Sequence, residues 1–245
     1  MIKTGLLSVI VPAYNEAASI EQSLKVVFAV KPLKEVIVVN DASTDKTKEI
    51  LERIQEEVAN NKPAMLKELR IVHKPHNEGK GAAIRTAVPL VTGDIVLIQD
   101  ADLELDPNEY PKLLEPFEKL GASVVFGSRF RREGIMRVHN TIHFLGNKVL
   151  TWFSNLFTGF YITDMETCYK VFKREVIQSF PLKSNRFGIE PELTARVAKA
   201  VRKQRLEFYE VPISYRPRTY AEGKKIGIMD GLTALFSIVY FNWFE

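Results

Sequence analysis

The 245 residues, 46% hydrophobic and 26% charged, can bury one sizeable core, and the lack of any low-complexity tract or internal repeat excludes a disordered or solenoid protein. The formal charge of +4 is modest, but basic residues gather in Arg129 to Lys148 and in Lys199 to Lys225, a distribution that suits phosphate, anionic lipid or nucleic acid. The single cysteine, Cys168, excludes an intrachain disulfide and fits a reducing compartment, for which the cytoplasm is the default.

In chain order, Met1 to Gly5 run straight into a strand pattern rather than a long apolar core, so no signal peptide is expected. The apolar run Leu6 to Val11 reads as a first buried strand, continuing as Pro12-Ala13-Tyr14-Asn15-Glu16. Ser19 and Gln22 have the spacing of a capping box at a helix start. A second strand, Glu35 to Val39, leads into Asn40-Asp41-Ala42-Ser43-Thr44-Asp45, and a third is expected over Leu69 to Val72. In a parallel sheet the first two of these loops emerge on one edge, where Tyr14 can stack on a nucleobase and Asp41 can accept hydrogen bonds from base or ribose. The structural alternative is that Pro12 ends a strand while Ser43 or Asp45 caps a helix. Gly79-Lys80-Gly81 lacks both the Walker spacing and a dinucleotide fingerprint, so it is either a loop beside a nucleotide or a glycine turn opening a helix through Ala87.

A fourth strand, Ile95 to Ile98, leads into Asp100-Ala101-Asp102. Paired hard oxygens at a strand's carboxyl end suit Mg²⁺ or Mn²⁺ bridging a diphosphate, although acidic pairs also begin solvated turns. Asp106, Pro107 and Glu109 supply cap, first-turn proline and box partner for the next helix, and Ser123 to Phe126 is a fifth strand. Strand and helix therefore alternate to about residue 127, which predicts an α/β fold with a mainly parallel, doubly wound sheet binding ligands at the carboxyl ends of its strands.

Beyond Gly127 comes a basic, aromatic-rich stretch through Phe160, then a strand at Cys168 to Phe172, a helix near Glu190 to Val201 and a strand at Leu206 to Ile213. Cys168 itself is expected as a half-buried strand thiol. Arg129, Arg131, Arg132 and Arg137 lead into an apolar series including Ile142, Phe144, Trp152, Phe153 and Phe157. This fits either a membrane surface with anionic headgroups or an ordinary helix packed on the sheet. The apolar tail Leu232 to Phe244 is shorter than the ~20 residues a bilayer crossing needs, and either lies on a membrane or packs as a core helix. His73, His76, His139 and His143 have no coherent metal spacing. The basic clusters carry no zinc, helix-turn-helix or RNA-sheet motif, so a nucleic-acid partner is not expected.

PAYNE at 12–16, NDAS at 40–43, NEGKGAA at 77–83, the acidic motif at 100–102, GSR at 127–129, TDMETCYK at 163–170 and RTYAEGKK at 218–225 together resemble family 2 of the inverting glycosyltransferases, whose nucleotide-sugar fold is termed GT-A. Within it the chain is most similar to polyprenyl-phosphate sugar synthases such as dolichyl-phosphate mannose and glucose synthases. By that resemblance Pro12, Tyr14, Glu16, Val39 and Asp41 line the nucleoside pocket, and Lys80 lies in a loop beside the nucleotide. Asp100 and Ala101 meet the ribose and diphosphate, and Asp102 the Mg²⁺ or Mn²⁺ ion, with Asp100 on the metal side. Glu104 falls where mannose synthases carry a second metal-side ligand, commonly Gln. Arg129 and Arg218 meet donor or acceptor phosphates, and Arg131 and Arg132 fall to the acceptor phosphate. Glu222-Gly223-Lys224-Lys225, after one extra residue, departs from the mannose-synthase pattern and leaves UDP- and GDP-hexose donors open.

Catalysis would then gather charge on the leaving diphosphate, stabilised by the metal and Arg218. Asp164 either orients the acceptor, acts as a base toward a hydroxyl acceptor or caps a turn. The expected organisation is a catalytic domain over 1–227, with an acceptor or interface segment at 129–161, and a C-terminal apolar helix at 228–245. The expected setting is peripheral, on the cytoplasmic face of a membrane carrying a polyprenyl phosphate acceptor. A glycan-hydroxyl acceptor, a pyrophosphorylase-like nucleotidyltransferase and a non-catalytic nucleotide-sugar-binding protein are the rival readings.

Overall fold

A computed structural model describes residues 5–131, 141–217 and 228–245, apart from the side chains at 142, 143 and 228–230. The first half runs β1 (Leu7–Ala13), α1 (Ile20–Ala29), β2 (Lys34–Asn40), α2 (Thr47–Asn60), β3 (Leu66–His73), α3 (Lys80–Ala87), β4 (Ile95–Ile98), α4 (Tyr110–Lys119) and β5 (Val124–Ser128). The second half runs α5 (Thr141–Thr158), β6 (Lys170–Lys173), α6 (Arg174–Gln178), α7 (Ile189–Gln204), β7 (Phe208–Pro212) and α8 (Ile228–Trp243). The strands form one sheet in the order β3-β2-β1-β4-β6-β5-β7. Only β6 runs antiparallel to its neighbours, so the sheet is mainly parallel, as the alternation of strand and helix predicts.

Every residue of β1 and β2 is buried, because helices cover both faces of the sheet and each strand must be apolar on both sides. Alternate residues serve the two layers. Val9, Val11, Val36, Val38 and Leu97 pack with Leu24 of α1, Leu51 of α2 and Leu113 of α4. Ile10, Ile37, Val96 and Ile98 pack with Ile84 of α3, Leu193 of α7 and Ile238 of α8. Because β1 lies between β2 and β4, the chain leaves it toward β2 and β3 and returns on its other side. That reversal opens a crevice at the carboxyl ends of β1 and β4.

Two helix-start signals resolve differently from expectation. The expected capping box at Ser19 does not form: its hydroxyl donates to the Glu16 carboxylate at 2.7 Å and makes no cap bond to α1. The Ser19 backbone, at φ −124° and ψ −31°, is not the extended one from which a side chain caps. Asp106 does accept the Asn108 amide, but it opens a 3-10 turn over Pro107–Glu109, and Glu109 accepts from the Ser214 amide at 3.3 Å instead of closing a box. Cys168 is half-buried, as expected, but sits two residues before β6 rather than within it.

The two apolar segments are each buried on one face and exposed on the other. α8 buries Ala234, Ile238 and Phe241, with Lys199 Nζ donating to the Phe241 carbonyl at 2.8 Å and Phe157 of α5 meeting Trp243 at 5.5 Å between ring centroids. Its other side exposes Leu232, Phe236, Trp243 and Phe244, while α5 exposes Leu145, Val149, Trp152 and Leu156 at helical spacing. Among the described residues no helix is long and apolar enough to cross a membrane.

Candidate active site

The loops after β1 and β2 are stitched into one floor. Asn15, at φ 53°, accepts the Thr44 amide on its side chain at 2.8 Å, while its own amide donates to Ser43 Oγ at 3.0 Å. Pro12 and Val39 are register partners at the end of the β1/β2 pair, both buried. Tyr14 projects from this floor at 37% exposure, and the Glu16 amide donates to Thr47 Oγ1 at 2.9 Å. The side chains predicted for a nucleoside pocket therefore converge on one edge.

Asp41 is only 2% exposed and faces inward. Its carboxylate takes Lys74 Nζ at 2.6 Å, Asn77 Nδ2 at 3.0 Å and the Gly79 amide at 2.6 Å. It thus folds the 74–79 loop against β2. Gly79 has φ 101°, and a Cβ on Gly81 would stand 2.2 Å from the Ser184 carbonyl oxygen, so both glycines serve close backbone approach at the start of α3. The glycine turn opening a helix is present, and it carries Lys80 to the acidic motif.

There Lys80 Nζ bridges Asp100 Oδ1 at 2.7 Å and Glu190 Oε1 at 2.9 Å, and donates to Cys168 Sγ at 3.0 Å. Burial opposes the Lys80 charge, but Asp100 and Glu190 outweigh it and hold its pKa well above the usual lysine value. Burial, with Asp100 beside it, pushes the Cys168 thiol up, leaving it neutral and a poor nucleophile. Ala101 is buried; Asp102, 7% exposed, accepts the Glu104 amide at 3.0 Å.

A second group surrounds Asp164, which has no exposed surface. Its oxygens take Arg129 Nε at 2.7 Å, Nη2 at 2.8 Å and the Arg129 amide at 3.0 Å. Burial works against the Arg129 charge, but Asp164 more than restores it. Beneath the pair, Glu210 Oε1 accepts the Thr163 and Asp164 amides at 2.8 and 3.2 Å, and Thr163 Oγ1 meets Ser128 Oγ at 2.5 Å. Arg131 is exposed and donates Nη1 to the Glu210 carbonyl at 3.0 Å. Tyr215 joins the two groups, donating its hydroxyl to Glu104 Oε2 at 2.8 Å while its ring lies 5.1 Å from the Arg129 guanidinium. Burial and then Glu104 raise the Tyr215 phenol, which keeps its proton.

Arg132 and Arg218, with Arg137 and His139, lie outside the described residues. Glu190, Glu210 and Tyr215 lie outside the quoted motifs, and Glu166 lies within TDMETCYK without an assigned role, yet all four stand among these groups. The available signal was an acid in a segment due to be buried, as in Ile189-Glu190-Pro191 at a helix start and Tyr209-Glu210-Val211 on a strand.

Among the described residues no three His, Cys, Asp or Glu side chains converge as a closed metal site. Asp100 and Asp102 instead offer the one or two hard carboxylates with which Mg²⁺ or Mn²⁺ is held when substrate phosphates complete its shell. That donor set fits the expected ion.

Comparison with known proteins identifies the family and the fold. The family model described as glycosyl transferase family 2 matches residues 8–180. The low-salt glycan biosynthesis hexosyltransferase Agl6 of Haloferax volcanii is 32% identical over 216 residues, 86% of this chain and 48% of that protein, so the chain spans about half its length. The undecaprenyl-phosphate mannosyltransferase of Micrococcus luteus is 27% identical over 228 residues, 89% of this chain and 86% of that one. Glucosyl-3-phosphoglycerate synthase from Mycobacterium tuberculosis, solved with Mn²⁺, UDP and phosphoglyceric acid, superposes with a TM-score of 0.66 at 21% identity, covering 98% of this chain and 80% of that one. This last likeness is one of fold.

Proposed function

The chain belongs to glycosyltransferase family 2, and on that premise we propose that it transfers a hexose, with inversion, from UDP- or GDP-hexose to a polyprenyl monophosphate. One observation carries the acceptor. Phe130, next to Arg129, packs on Phe144 of the apolar helix α5 at 5.2 Å between centroids, with Lys148 Nζ 4.7 Å from the same ring. Arg129, read as a phosphate contact, thus stands next to a residue packed on a helix whose outer face is apolar, which suits a phosphate on a lipid. The name of the Micrococcus relative points the same way.

In this reading Pro12, Tyr14, Glu16 and Val39 border the nucleoside, while Asp41 shapes the pocket by holding the 74–79 loop. Asp102 and Asp100 would hold a Mg²⁺ or Mn²⁺ ion, with Glu104 and Ala101 bordering them, and such an ion would supply charge compensation for the departing diphosphate. Arg129, Arg131 and Arg132 take the acceptor phosphate, and Arg218 a phosphate of donor or acceptor. The second pKa of such a phosphate is about 6, so an anionic oxygen is already present at neutral pH. It attacks the anomeric carbon as the bond to the diphosphate breaks, and no general base is needed. Asp164, doubly bound to Arg129, serves to orient that guanidinium. The outer faces of α5 and α8 rest on the membrane, on its cytoplasmic side.

Labelled UDP-glucose and GDP-mannose, offered with Mn²⁺ to polyprenyl phosphate, the matching polyprenol and soluble oligosaccharides, test the proposal. Transfer to polyprenyl phosphate alone is expected. Transfer confined to a hydroxyl acceptor defeats the acceptor assignment, and donor binding without transfer or hydrolysis defeats catalysis.

A further inference from the structure

Glu210 sits on the edge strand β7, the register partner of Phe126 on β5, where that strand leads into residues 128–131. Its carboxylate meets three donors from one distant stretch: the Thr163 amide at 2.8 Å, the Thr163 hydroxyl at 2.7 Å and the Asp164 amide at 3.2 Å. Burial first, with the Asp164 charge adding to it, raises the Glu210 carboxyl above its ordinary value, and those donors work against the rise. Glu166, two residues beyond Asp164, shows the alternative. Its Oε1 has no hydrogen-bond partner among the described residues, and burial, with the Glu190 charge second, pushes its carboxyl up to about 8. Setting Glu210 against the fully buried Asp164 is unfavourable in itself, and an apolar side chain would close the same space without that charge. Stability alone therefore does not account for an acid here.

What Glu210 holds is the arginine group. Asp164 engages Arg129 through Nε, Nη2 and the main-chain amide, which leaves Nη1 as the guanidinium nitrogen with no hydrogen bond among the described residues. The Glu210 carbonyl accepts Arg131 Nη1 at 3.0 Å. Thr163 Oγ1 passes the tie on to Ser128 Oγ at 2.5 Å, and that oxygen takes the Phe130 and Arg131 amides at 3.1 Å each. One residue thus reaches Arg129 through the Thr163–Asp164 backbone, and Arg131 both through its own carbonyl and through Thr163 and Ser128. We infer that Glu210 is a positioning residue for the acceptor, holding Arg129 and Arg131 in fixed relation so that both meet a single phosphate. The inference rests on the acceptor reading above and deepens it. Arginine side chains lose rotamer freedom when they grip an anion, and a site that fixes them beforehand binds it more tightly. The Glu210 carboxylate is itself an acceptor engaged by protein donors, so it acts through its neighbours and not by contact with phosphate.

The test is steady-state transfer to polyprenyl phosphate, with Mn²⁺ and the donor the parent uses, by the parent, Glu210→Ala and Glu210→Gln, beside calorimetric titration of UDP and GDP. Glu210→Ala should raise the acceptor KM about tenfold, the effect of one charge-assisted hydrogen bond drawn out of line, with a smaller change in kcat and nucleotide affinity within about twofold. Glu210→Gln should bring the acceptor KM back to within about threefold of the parent, since its amide oxygen still takes the two main-chain N–H groups and its NH₂ donates to Thr163 Oγ1. A residue that only supports the fold would lower the melting temperature of Glu210→Ala and leave the acceptor KM alone. An unchanged acceptor KM therefore overturns the inference while the acceptor reading stands. A parent that transfers only to hydroxyl acceptors overturns that reading and the inference with it. Where Glu210→Ala does not fold, Thr163→Val, which cuts the tie to Ser128, decides by the same KM.

Discussion

Asp164 has no surface open to solvent and commits both oxygens to Arg129, so its role is set by that pair. Asp164→Ala should lower stability by about 3–5 kcal/mol, because it leaves a buried guanidinium unpaired. Chemical denaturation measures this, and an unchanged midpoint would refute the buried-pair account. Asp102 stands differently, just beyond the carboxyl end of β4 and assigned to the metal in the proposed function. Asp102→Asn should keep the melting temperature and lower turnover by about 100-fold or more, in line with the loss of one transition-state charge contact. Near-parental turnover would sink the metal assignment. Glu166 makes the opposite trade. Folded, it holds its proton up to about 8, whereas unfolded it releases it near 4.5. Between those values the native state binds the extra proton, so stability falls as pH rises. Glu166→Gln should therefore melt higher than the parent, with an advantage that grows from about pH 4.5 to pH 8; a constant advantage would mean the carboxyl titrates normally.

Elements of this chain carry two duties on opposite faces. α8 offers Ile238 and Phe241 to the core, and Phe236, Tyr240 and Phe244 as a stacked aromatic ladder, with ring centroids 5.9 and 6.4 Å apart along the helix. Deleting the helix would remove both duties at once and separate neither. Point substitutions do separate them. Ile238→Ala should cost roughly 2–5 kcal/mol of stability, since it empties space against α7 and the sheet. Phe236→Ser should leave the melting temperature within a degree or so, since exposed positions contribute within about 0.5 kcal/mol. If both variants melted alike, the two-face description of α8 would be wrong. α3 shows the same economy of position: its glycines let the 184–186 backbone pass closely, and its first residue, Lys80, reaches the acidic motif.

At the scale of the molecule, the apolar stripes of α5 and α8 lie on helices that touch each other, within a chain of net charge +4. Burying one large apolar side chain in lipid contributes ~1.5–3 kcal/mol, about tenfold or more in partition. Trp152→Ser combined with Trp243→Ser should therefore abolish flotation with anionic vesicles while leaving nucleotide binding unchanged. Flotation of the parent should also weaken as salt rises, because part of the attraction is to headgroup charge. Equal flotation of parent and double variant would show that these faces do not meet the bilayer.

The strands, their mainly parallel run and the edge that carries the candidate site were legible in the sequence, because a strand buried on both faces is mostly apolar and each loop then falls at a known end. β4 matches residue for residue. The acidic motif was legible for the same reason, as were the floor residues Tyr14 and Asp41. The direction of Asp41 was not legible, nor was the pairing of Asp164 with Arg129 across 35 positions. Glu190, Glu166, Glu210 and Tyr215 entered the site only when β6, α7 and β7 closed around it. Periodicity reports which side of an element is buried, whereas the partner of a buried charge depends on which distant element arrives there. Only tertiary structure could decide these pairings, since a buried ion or hydroxyl takes whichever oppositely polar group the packed fold brings within about 3 Å.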